Sequence, residues 1–174
     1  MGDIQSVVPP PAGLAEPGRK GDRCRERISM MSILLVTHLV FAGIWLGCVL
    51  TEALFERALL GKGRQQELLL ADIHKRVDLF IEIPAFIIVL VTGFAMLGAT
   101  AGSGLLHAKV AAGLIAVAAN VYCVWLVFRR SAAAHRGEWE SFASIDHKQH
   151  LYGAVVLAAI VLALAMGICI AGGA

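Results

Sequence analysis

Polar and apolar positions alternate along this chain in long blocks. Four blocks, 28–51, 79–104, 105–128 and 151–174, are almost wholly apolar, and only Glu82 and Lys109 carry charge within them. A helix crosses the hydrocarbon core of a bilayer in about 20 residues, so each block is long enough to span it. The pattern predicts an all-α integral membrane four-helix bundle with up-down-up-down topology, its helices covering about 28–60, 71–98, 105–130 and 147–172. Pro84 falls inside the second helix, where a proline kinks the backbone. The glycine-rich run GATAGSG (98–104) predicts a tight turn that makes helices two and three antiparallel neighbours.

Composition agrees with this reading. Of 174 residues, 58% are hydrophobic and 16% charged, which argues against a soluble globular enzyme. The first 27 residues are rich in Pro, Gly and charge, with three consecutive prolines at 9–11, and read as a disordered tail. They lack the basic-then-apolar order of a secretory signal. Met30 and Met31 open the first span, so translation starting there is a further expectation for residues 1–29.

The net charge of +2 is neutral information, because the basic residues flank the spans and form no nucleic-acid patch. Arg57, Lys62, Arg64, Lys75 and Arg76 lie between spans one and two; Arg129, Arg130, Arg136 and Lys148 lie between spans three and four. Basic loops stay in the cytoplasm. The chain is thus expected in the cell (inner) membrane, with loops 57–76 and 129–148 cytoplasmic and the C-terminus outside. Its partners would be the lipid bilayer and either a membrane redox partner or further copies of itself, with no nucleic acid. Cys24, Cys48, Cys123 and Cys169 form no CxxC pair and no zinc pattern, and read as small buried hydrophobes.

Ionisable residues within spans are costly and mark functional sites by default. A helix turns about 100° per residue, so spacing assigns faces. His38, Trp45 and Glu52 are seven apart on helix one, and Glu56 extends their stripe. His74, Asp78 and Glu82 form a stripe on helix two, with Met96 back on nearly the same face. Lys109 and Asn120 align on helix three, and His107 points nearly opposite to Lys109. Asp146, His147 and His150 stand at the start of helix four. Alternating helix direction gathers Glu52, Glu56, His74, Asp78, Glu82, Asn120, Asp146, His147 and His150 toward the basic-loop end. His38, Met96, His107 and Lys109 gather at the other.

Two chemistries fit these sets. Histidine pairs hold b-type haem between helices, iron accepting His with His or Met. The pairs would be His38 with His107 or Met96, and His74 with His147 or His150. Alternatively, Glu52, Glu56, His74, Asp78, Glu82, His147 and His150 form a non-haem metal site, since bundles build such sites from inward Glu and His. Plainer roles compete. Asp146 suits a helix cap, Glu56 and Arg57 suit surface charges, and Trp45 and Trp125 suit packing or interfacial anchors. Met96 and Met166 suit core filling, and Lys109 can snorkel to the outer surface.

The run LLVTHLVFAGIWLG (34–47) resembles the His-then-Trp first helix of HemJ-type protoporphyrinogen oxidases and of the related CopD-type copper-resistance membrane proteins. The run RVDLFIEIPAFIIVLVTGFAML (76–97) is similar to their helix with Arg, internal Pro and a later Thr-Gly. LLHAKVAAG (105–113) is similar to the HemJ-type third-helix start. The resemblance covers about residues 34–125 of a divergent member. It implies a four-helix membrane protein that binds haem, with His38 as the first-helix histidine and His107 and Lys109 as the third-helix pair. Helix four carries DHKQHLYG (146–153) in place of an Asn-Glu-x-Pro pattern. The leading expectation is an integral membrane redox protein binding haem b and passing electrons to a membrane partner. The alternatives are CopD-like binding or transport of copper or non-haem iron, HemJ-like protoporphyrinogen IX oxidation, and a structural membrane subunit.

Overall fold

The structure, a computed structural model, describes residues 18–97 and 103–172. The elements are α1 (Gly18–Leu59), α2 (Arg64–Val77), a π-helical turn (Asp78–Glu82), α3 (Ile83–Leu97), α4 (Gly104–Arg136) and α5 (Trp139–Ala171). Two compact units divide the chain at Ile33. In the first, residues 18–33 are helical. The expected tail (1–27) lies outside the described residues up to 17, and most of the expected glycine-rich turn (98–102) lies outside them as well. The candidate site residues all lie in the second unit, Leu34–Ala174.

Four helical runs are long and apolar enough to cross a membrane: Arg25–Leu59, Arg64–Leu97, Gly104–Arg136 and Trp139–Ala171. The protein is a multi-pass all-α membrane bundle. Large apolar side chains such as Leu54, Phe80, Val91, Ile115 and Ile168 point outward, where lipid replaces water as the solvent. Small residues face inward instead. Ala85, Ala116, Ala119 and Ala159 pack with Trp45, Phe86, Val156 and Ile160 in the central core. Small inward residues let helix backbones approach, which is how helices gain contact when lipid is as apolar as their side chains. α4 and α5 pair most extensively in this way.

The helices outlast the bilayer. α4 and α5 each have 33 residues, or roughly 50 Å at 1.5 Å per residue, against a hydrocarbon core of about 30 Å. The polar segment 129–146, expected to be largely a connection, is therefore mostly helix, and only Gly137 and Glu138 separate α4 from α5. Gly137 has φ 72°, a left-handed conformation that closes α4 at little cost for glycine. The Arg136 guanidinium donates to both oxygens of Glu138, at 2.7 and 3.1 Å, and holds that carboxyl below its ordinary range. At the other end of α4, Ser103 accepts from the Leu106 N–H and caps the helix. α2 starts seven residues before the expected boundary. Its Leu70 and Ala71 are fully buried, and a second core of Ala71, Ala133, Ala134 and Phe142 closes the basic-loop end.

Pro84 has a specific consequence. It has no N–H to give, and its ring crowds the carbonyl four residues back, that of Phe80. The chain widens to a π turn immediately before it, in which the Ile83 N–H bonds to the Asp78 carbonyl, five residues back. Such turns concentrate at functional sites. Here the turn carries Asp78 at its first position and Glu82 at its last.

Candidate functional site

The apolar blocks begin or end at residues 51, 79, 128 and 151 on the basic-loop side. Glu52 and Asp78 therefore stand at the edge of the hydrocarbon layer, with Glu82 one turn deeper. Glu56, Arg130, Asp146 and His150 stand at headgroup level. Both layers are inside the bundle, and they differ in how their charge is balanced.

The headgroup layer is organised by Arg130, which is 0% exposed. Its Nη1 donates to Glu56 Oε1 at 3.1 Å and to Asp146 Oδ1 at 2.5 Å, and its Nη2 donates to His74 Nδ1. Phe142 lies under the guanidinium, 5.7 Å from ring centroid to Cζ. His150 Nε2 meets Glu56 Oε2 at 2.9 Å, and Gln149 Nε2 donates to Glu56 Oε1 at 3.5 Å. Glu56, Asp146 and His150 have their ligand atoms within 4.8 Å of one another, but a guanidinium already sits among them. A buried ion pair with several hydrogen bonds is held by its partners and is costly to break. Glu56 is thus a buried partner, not a surface charge, and Asp146 does more than cap a helix.

His74 joins the two layers. It is 1% exposed. A guanidinium can only donate, so Nδ1 must accept, and the neutral ring then carries its proton on Nε2. That N–H faces Glu52 Oε2 at 3.6 Å. His74 is engaged at Nδ1 by Arg130, and its Nε2, which has no hydrogen-bond partner, faces Glu52 from the other edge.

The deeper layer has no such cation. Glu52, Asp78 and Glu82 offer three carboxyl oxygens within 4.8 Å of one another. Asp78 is 1% and Glu82 3% exposed. Among the described residues, no Lys or Arg forms an ion pair with any of the three. Trp45 Nε1 donates to Glu82 Oε1 and to Asn120 Oδ1, each at 3.3 Å. No donor reaches Glu52 Oε1 or Asp78 Oδ2, both buried. The three residues line a cavity of about 220 Å³, together with His74, Asn120, Cys123, Glu56 and His150. Two like charges 4 Å apart repel by roughly 4 kcal/mol at an effective dielectric near 20. Three such pairs would rival the whole stability of a domain, about 5–15 kcal/mol. The trio needs bound protons or a bound cation.

The opposite end has another arrangement. Thr92, buried on α3, gives its hydroxyl proton to the Ile88 carbonyl at 2.6 Å. Its oxygen then accepts from His38 Nδ1 at 2.9 Å, which leaves the His38 Nε2 lone pair free. Gly93 lies beside the ring, and a Cβ there would stand 3.4 Å from His38 Cε1, at ordinary van der Waals contact. Lys109 packs against α5, its Nζ 3.3 Å from where a Gly167 Cβ would stand. Met96 is half-buried one turn beyond Thr92.

Other candidates are not brought in. His107 is exposed at the start of α4, its Nδ1 donating to the Ser103 carbonyl at 2.9 Å. His147 is exposed on α5 and belongs to neither carboxylate group. The residues that spacing did not single out are Arg130, Thr92 and Gln149. One signal pointed to Arg130. Ala112, Ala116, Ala119, Cys123 and Leu126 recur at helical spacing as a small-residue face, and Arg130 continues that row into the bundle.

Compared with known proteins, the chain matches no family model, no curated protein and no solved structure.

Proposed function

We propose that this membrane protein binds a hard divalent cation, Mn²⁺ or Fe²⁺ in type, at Glu52, Asp78 and Glu82, and so belongs to the metal-binding or transport class. One observation carries this reading: three carboxyl groups around a cavity, two of them with a buried oxygen that no donor reaches, and no Lys or Arg paired with them among the described residues. Carboxylate oxygens suit Mn²⁺, Mg²⁺ and Ca²⁺, and Glu/His sets in bundles suit iron, whereas copper(I) prefers thiolate and thioether ligands. Glu82 is held by the Trp45 N–H, and Glu52 lies 3.6 Å from His74 Nε2. The Trp45 hydrogen bond to Glu82 is of the kind that holds metal-binding carboxylates in place. With the basic loops in the cytoplasm, as their Lys and Arg content favours, this site would stand at the cytoplasmic side of the membrane.

The test is metal analysis and Mn²⁺ titration, followed by electron paramagnetic resonance, on protein purified in detergent. One ion per chain is expected, lost in Glu82→Gln and Asp78→Asn while the helical content is kept. Native protein that neither carries nor takes up a stoichiometric divalent ion would overturn the reading.

A second reading, haem b, is favoured by His38. A histidine that donates from Nδ1 and keeps Nε2 free has the state an iron ligand needs. His38 would supply a ligand nitrogen to the iron. Haem would bring one-electron exchange with a membrane partner, or the HemJ-like oxidation of protoporphyrinogen IX. A reduced-minus-oxidised spectrum with haem bands that vanish in His38→Ala is the expected sign. Their absence from membranes grown with ample haem would remove this reading.

A further inference from the structure

We propose that the carboxylate cavity opens sideways, through a water-filled entrance between α1 and α5 that admits small cationic solutes, its width set by Gly153, Ala53 and Ala154. This rests on the cation-binding reading for its purpose, though not for its geometry.

Both axial routes are closed. Toward the basic loops, Leu70, Ala71 and Arg130 are each 0% exposed, and Phe142 seals the same layer. Toward the membrane centre, Trp45, Phe86, Ala116 and Val156 form the packed core. The lateral wall is different. Cavity-lining residues come largely from α1 (Val49, Glu52, Ala53, Glu56) and α5 (Gln149, His150, Gly153, Ala154, Val156, Leu157). Ala53 and Ala154 line the cavity and are also exposed, so the void reaches the surface where they stand. A Cβ on Gly153 would meet nothing within 4 Å. The α1 and α5 backbones do not approach as those of α4 and α5 do.

The position suits an ion from water rather than a lipid. Gly153 is one turn from His150, whose side chain is 44% exposed while its Nε2 holds Glu56. The mouth is thus at headgroup level, and the first polar groups inside it are Glu56 and Glu52. Acceptors in a low-dielectric cleft concentrate cations and repel anions. Small residues on both rims leave room for a small solute, whereas any large side chain at 153 would project into the gap.

Thiol accessibility tests this in the full-length protein in membrane vesicles, with Cys24, Cys48, Cys123 and Cys169 replaced by alanine. Gly153→Cys and Ala154→Cys are compared with Val161→Cys, whose side chain faces outward deep in the span. The probes are membrane-impermeant methanethiosulfonates bearing a trimethylammonium or a sulfonate group. The expected result is fast modification at 153 and 154 and slow modification at 161, the cationic reagent leading the anionic by about tenfold or more beyond their ratio with a free thiol in solution. Rates at 153 and 154 no faster than at 161, or an anionic reagent that leads, would overturn the proposal. A Gly153→Leu protein should load Mn²⁺ more slowly with unchanged equilibrium affinity. Fast cationic labelling in a protein that binds no Mn²⁺ would uphold the entrance and reject the metal site.

Discussion

The indole N–H of Trp45 meets the Glu82 carboxylate at 3.3 Å, from a residue 37 positions earlier in the chain. The same N–H reaches Asn120 on α4, so one side chain of α1 holds groups from the second and third spans. Trp45→Phe keeps the packing against Phe86 (centroids 5.9 Å apart) and removes the donor. A buried acceptor that loses its donor costs about 1–3 kcal/mol. Thermal unfolding in detergent should show that loss, and Mn²⁺ affinity should fall with it. Unchanged stability and affinity would mean the indole serves only to fill space.

Arg130→Met should be far more damaging. It leaves Glu56 and Asp146 buried without their cation, a change in the range of about 3–5 kcal/mol. Adding Glu56→Gln and Asp146→Asn should restore much of the stability. Expression and thermal stability of the single and triple variants decide this, and a single variant as stable as the parent would show that the network is not holding the helices.

Pro84→Ala frees the Phe80 carbonyl to bond normally and removes the reason for the π turn. Asp78 then rotates relative to Glu82. Mn²⁺ affinity should drop by more than tenfold, roughly 1.4 kcal/mol, while unfolding temperature stays level or rises. Parent-like affinity in Pro84→Ala would separate the turn from the site.

Arg136 and Glu138 form a well-aligned pair at the α4–α5 turn, but both are open to water. Exposed pairs contribute little, and less at high salt. Glu138→Gln should leave the unfolding temperature unchanged within error at 150 mM salt or above. A clear loss would give the turn a structural weight that its exposure does not suggest.

Much of this architecture is legible in the chain. The spans follow from runs of apolar residues, and the stripes His74–Asp78–Glu82 and Trp45–Glu52–Glu56 follow from helical period alone. The helix ends were harder to read. Charges at 129–146 look like a loop when hydropathy is the guide, yet a helix can leave the membrane without ending. Arg130 was hidden for a related reason. It follows Arg129 at the end of an apolar block, where paired arginines ordinarily mark the membrane surface.

By itself the sequence determined that four helices cross a membrane, which of their faces are polar, and at which end of the bundle each polar residue stands. Those properties depend on composition and on a fixed rotation per residue. Only the tertiary structure decided which faces meet. Glu56 and Arg130 are 74 residues apart, and their contact depends on the rotation and depth of two separate helices, α1 and α4. The same packing gave a cation to Glu56 and Asp146 and none to Glu52, Asp78 and Glu82. That difference in charge balance, invisible to residue counting, separates an acidic group that braces the helices from one whose charge no neighbouring Lys or Arg balances among the described residues.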